Sequence, residues 1–85
     1  MKIPYGGIMV KDFIVDYIQR EYTVPSDVDI LNLNFVNEGY VDSIGLIQFM
    51  YILEDEFNIS FSDEDLKNPD IKIVGGLISI VESKL

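Results

Sequence analysis

Gly39-Tyr40-Val41-Asp42-Ser43-Ile44-Gly45-Leu46-Ile47-Gln48-Phe49 is the stretch from which the rest of the chain is read. A serine directly after an aspartate opens an uninterrupted helical pattern that continues to Phe57. At roughly 100° per residue, Leu46, Phe49, Met50, Leu53 and Phe57 form one apolar stripe. Ile44, Ile47 and Tyr51 form a second stripe on nearly the opposite side. One stripe must face a core. In a small bundle the other is then exposed beside Ser43, edged by Gln48, Glu54 and Asp55, as a partner-docking surface would be. A wide core contact or a homodimer would instead bury both. The Ser43 hydroxyl, at the positive end of the helix, suits a phosphate, although serine and aspartate are also ordinary capping residues.

Towards the N-terminus, residues 23–42 show no sustained period and connect this helix to an earlier one. Loops of about 20 residues are uncommon in compact domains and are usually functional or anchored. Ile30, Leu31, Leu33, Phe35 and Val36 predict anchoring on the core through a short helical turn. Asp27 and Asp29 resemble the start of a calcium loop, but the glycine and terminal glutamate it requires are missing. The spacing of Val10, Phe13, Ile14, Tyr17 and Ile18 predicts a first helix over residues 9–22, ended by Thr23-Val24-Pro25-Ser26. Residues 1–8, with Pro4 and the Gly6-Gly7 pair, read as a loose lead-in to a domain over 9–85.

Beyond Phe57, Asn58-Ile59-Ser60-Phe61 breaks the helix and returns Ile59 and Phe61 to the core. Ser62 is the expected N-cap of a short helix, with Asp65 completing a box-like spacing. After the turn at Asn68-Pro69-Asp70, a last helix is expected over 71–83, with Ile73, Val74, Leu77, Ile80 and Val81 on one face. Gly75-Gly76 weakens it by about 1 kcal/mol per glycine relative to alanine. Either the helix boundary falls elsewhere, or backbone approaches closely there and leaves room for something small. The fold class is all-α: an antiparallel-type bundle of three longer helices and one short one, with a long first loop and no sheet.

Composition narrows the function. The chain has 85 residues, 48% of them hydrophobic, which is one packed domain with a limited core. It contains no cysteine and no histidine, which removes disulfides, the usual zinc ligands and most nucleophile–base pairs. Any reactive group must come from a cofactor or a partner. Paired carboxylates such as Asp63 and Asp65 read as a solvated acidic turn, so no enzyme is expected. The net charge is −9, and all six basic residues lie outside residues 21–66. Such a field repels nucleic acid and anionic membranes and favours basic partners, or serves solubility alone. With no leader pattern and no membrane-length apolar run, a cytoplasmic protein is expected.

Four features together resemble the acyl carrier protein family over residues 9–84. They are the long first loop, the Asp42-Ser43-Ile44 opening, the acidic Glu54-Asp55-Glu56-Phe57 ending and the short third helix. The resemblance implies a four-helix carrier bundle in which Ser43 accepts 4'-phosphopantetheine from coenzyme A, moved there by a phosphopantetheinyl transferase with magnesium. The arm's thiol would hold acyl or aminoacyl intermediates as thioesters, answering the missing cysteine. Asp42 matches the position before the family's serine. Ile44, Ile47 and Tyr51 match its apolar contact positions, and Gln48, Glu54 and Asp55 its polar and acidic rim. The implied partners are the transferase and the loading and acceptor enzymes, with basic docking surfaces, and the chain is expected to be a monomer. Gly45 and Gln48 stand where fatty-acid-synthesis carriers typically have acids, and the run before Ser43 also departs. These departures fit a specialised stand-alone carrier of a polyketide, peptide or cell-envelope pathway better than a general fatty-acid carrier, which stays open. The rival reading is a non-covalent acidic adaptor that binds a basic partner through the second helix.

Overall fold

The computed structural model describes the backbone of residues 7–85 and the side chains from Val10 onwards. Four α-helices form: α1 (Gly7–Tyr22), α2 (Ser43–Phe57), α3 (Asp63–Lys67) and α4 (Val74–Glu82). Two 3-10 turns, Ile30–Asn32 and Pro69–Lys72, precede α2 and α4 respectively. Among the described residues there is no strand, only an isolated antiparallel bridge between Asn34 and Ile73. The expected all-α bundle of three longer helices and one short one is the observed architecture. Of the lead-in expected over residues 1–8, residues 1–6 lie outside the described residues. Gly7 and Ile8 already belong to α1, so that helix starts two residues before the spacing placed it.

Helix α2 has the predicted bounds because both ends carry local signals. Asp42 caps its start, and Asn58 ends it in the left-handed conformation (φ 55). Leu46, Phe49, Met50, Leu53 and Phe57 are its buried residues, so the first stripe is the core stripe. It meets α1 through rings: Tyr17 stacks on Phe49 with centroids 4.4 Å apart, and Phe13 packs edge-on to Phe57 at 5.4 Å. Such pairs add to the area that Val10, Ile14 and Ile18 bury from the same face of α1.

The long connection is part of the core. Val24, Leu33, Phe35 and Val41 are buried, and Ile30, Leu31 and Val36 pack partly against them. Its backbone is tied to the start of α4: Phe35 N–H donates to the Lys72 carbonyl (3.1 Å), and Val74 N–H donates to the Leu33 carbonyl (3.0 Å). That tie corrects the last helix, which begins at Val74 and not at residue 71. Pro69 opens a 3-10 turn capped by the Asn68 side chain, and Ile73 stays extended to bridge Asn34. The buried face of α4 is Val74, Leu77, Ile78 and Val81, so Ile78 joins the core while Ile73 and Ile80 are half-buried.

The glycine pair is a close approach. A Cβ on Gly75 would stand 2.8 Å from the Leu31 carbonyl oxygen, and one on Gly76 would overlap the Asp70 carbonyl. Backbone of the two 3-10 turns occupies the space these side chains would need, which lets α4 pack on both turns and on α1. Asp42 and Ser43 are presented at the end of this anchored loop.

Candidate functional site

The approach to Ser43 is fixed from behind. Tyr40 and Val41 both donate their amides to the Phe35 carbonyl (3.1 and 3.2 Å), and the Val41 side chain is buried. Gly39 makes the turn possible with φ 84, a value that favours glycine. Asp42 then takes extended backbone, its Oδ1 accepts the Gly45 N–H at 2.7 Å, and its carbonyl accepts the Leu46 N–H at 2.9 Å. Asp42, not Ser43, is therefore the capping residue of α2.

Ser43 is exposed in the first turn of α2. None of the side-chain hydrogen bonds among the described residues engages its hydroxyl. With the Gly45 and Leu46 amides satisfied by Asp42, the Ser43 and Ile44 amides remain as outward donors of the first turn. An exposed hydroxyl with no protein partner to give up, beside the positive end of a fifteen-residue helix, fits a covalently held phosphate.

Gly45 is explained by packing. A Cβ there would overlap Cγ2 of Val41 and approach Asp42 Oδ1 to 3.3 Å. The glycine thus permits both the burial of Val41 and the Asp42 cap.

The second stripe of α2 faces solvent: Ile44 is 70% exposed, Tyr51 65% and Ile47 38%. Ile52, which the stripe assignment passed over, is as exposed as Ile47. Ile47, Tyr51 and Glu54 come together with Met50, Phe61 and Leu66 to line one groove of about 210 Å³. Gln48 and Asp55 are exposed but do not line it, and Ile44 lies one turn nearer Ser43. Phe61 returns to the core as expected, packing half-buried against it, and also forms part of this groove. Leu66 was missed, although it is the single apolar residue in the polar helix Asp63–Lys67, a signal that a side chain there has an exposed apolar role.

Helix α3 is held by local and distant bonds. Ser62 and Asp65 form the expected reciprocal capping box. Asp65 Oδ2 also meets Lys84 Nζ at 2.6 Å, with both side chains mostly buried. The Lys84 ammonium, followed by the Ser62 backbone amide, holds the Asp65 carboxyl below its ordinary pKa. Among the described residues no group of three or more potential ligands is gathered to hold a metal, and no helix is long and apolar enough to cross a membrane.

The family model for the phosphopantetheine attachment site matches residues 12–78. The acyl carrier protein of Lactobacillus acidophilus is 36% identical over 74 residues, covering 87% of this chain and 85% of that protein. No solved structure matches.

Proposed function

Since this chain belongs to the acyl carrier proteins, a family built around a phosphopantetheine attachment site, we propose that Ser43 holds its prosthetic arm. Proteins of this family are carriers, not enzymes, and bear 4'-phosphopantetheine covalently. The observation that carries the assignment to Ser43 is its exposed, uncommitted hydroxyl in the first turn of α2, directly after the capping Asp42. The phosphopantetheine, once attached, supplies a terminal thiol on which acyl or aminoacyl groups are carried as thioesters. The chain's own residues do the rest. Asp42 fixes the start of the helix and so the direction of the Ser43 side chain. Ile44, Ile47 and Tyr51 offer an apolar face to a phosphopantetheinyl transferase and to loading and acceptor enzymes. Gln48 and Asp55 form its exposed polar rim, suited to basic docking surfaces, while Glu54 lines the groove between them and Phe61.

A stand-alone carrier serving polyketide, peptide or cell-envelope chemistry is favoured over a general fatty-acid carrier. Gly45 and Gln48 support this, since they remove two acids from the face beside Ser43. Ser43→Ala tests the function. It should abolish carrier activity while leaving the helical circular dichroism and the urea midpoint unchanged. Retained partner binding together with retained biological function would support the adaptor reading instead.

A further inference from the structure

Three amide donors of the segment leaving α2 converge on one residue. The Glu54 carbonyl accepts the N–H of Asn58 and, at 3.2 Å, that of Ile59. The Glu54 carboxylate Oε2 accepts the N–H of Phe61 at 2.8 Å. The left-handed Asn58 reverses the chain, and the carboxylate brings Phe61 back beside the last turn of α2. The bond spans seven residues and fastens a non-helical segment to a helix. Hydrogen bonds to an ionised acceptor are stronger than neutral ones, so this is the firmest tie the segment has. Phe61 in turn lines the groove with Ile47, Met50, Tyr51 and Leu66, and the Lys84 ammonium stands 5.8 Å from its ring centroid.

We infer that Glu54 is a positioning residue, which shapes the groove by holding Phe61 in its wall and does not act by offering its charge to a partner. Use of the groove for docking rests on the carrier reading; the bond itself does not. Asp55, next in sequence and exposed, presents its charge to solvent, whereas Glu54 is half-buried and committed. The two neighbouring acids thereby divide the work of the rim.

The test compares Glu54→Ala with Glu54→Gln, which loses the charge but keeps an oxygen that accepts the Phe61 amide. Two quantities are read on the full chain: amide exchange of Phe61 by NMR, and kcat and KM for modification by a broad-specificity phosphopantetheinyl transferase. Glu54→Ala should speed Phe61 exchange about tenfold or more, with the α1 and α4 amides unchanged. It should also raise KM about tenfold with kcat little changed, and Glu54→Gln should restore both to within about twofold of the parent chain. Equal impairment of the two variants would mean that the charge is what partners read and would overturn the inference. So would an unchanged Phe61 amide in Glu54→Ala. If the parent chain takes up no arm, the carrier reading fails, and Phe61 exchange alone decides the anchoring: faster in Glu54→Ala only supports it, no change overturns it.

Discussion

At the scale of single residues, Gly45 shows how packing and capping share one position. Alanine is intrinsically the better helix former by about 1 kcal/mol. Here its methyl would overlap the buried Val41 and crowd the Asp42 carboxylate. Gly45→Ala is therefore expected to destabilise the fold by about 1–3 kcal/mol, read as a lower urea midpoint, and a more stable variant would contradict the packing account. In the sequence Gly45 was visible only as a departure from the family's usual acid. Its cause lies in how the loop folds against the helix, which no local spacing reports. Ser62 and Asp65 were legible for the opposite reason: a capping box is a contact across three residues, written in those residues alone. Glu54 was legible as an acid at the rim, but its bond to Phe61 depends on the left-handed turn between them.

At the scale of elements, the Asp65–Lys84 pair joins α3 to the residues after α4. The folded-state pKa of Asp65 lies below its unfolded value of about 3.9, chiefly through Lys84. Its contribution is fully present above that unfolded value and is lost as pH falls through the lower folded one. Lys84→Met is thus expected to cost about 1 kcal/mol near neutral pH, and the difference should shrink at an acidic pH below the folded-state value. Urea titrations of both chains at the two pH values measure it. A difference independent of pH would assign the role of Lys84 to packing on the Phe61 ring. Element boundaries were legible wherever their signals are local. Both ends of α2 follow from Asp42 and Asn58, whereas the start of α4 is set by the pairing of Ile73 with Asn34. That pairing joins residues far apart in sequence, so helical spacing alone extended α4 backwards over a 3-10 turn. The loop of residues 23–42 was legible as anchored, from its apolar content, but its attachment to α4 was not.

At the scale of the molecule, a small all-α bundle presents Ser43 beside an apolar face in a strongly acidic field. The field comes from a net charge of −9 with no basic residue between Arg20 and Lys67. If it steers partners, KM for the transferase should rise several-fold as ionic strength goes from about 0.05 to about 0.5 M, because exposed charges are screened over about 10 Å at 0.1 M. A salt-independent KM would mean that Ile44, Ile47 and Tyr51 dock alone. The absence of cysteine and histidine made a reactive group borrowed from a cofactor or a partner legible in the composition, whereas the phosphopantetheine thiol followed only from the family resemblance. The cargo was not, because partner enzymes select it. Attachment of the arm to Ser43 is read from the intact mass. The folded chain and Ser43→Ala are each incubated with coenzyme A, magnesium and a broad-specificity phosphopantetheinyl transferase. The parent chain should gain the mass of one phosphopantetheine, and Ser43→Ala should gain none. No gain in the parent chain, under conditions that modify a control carrier, or an equal gain in the variant, would contradict it.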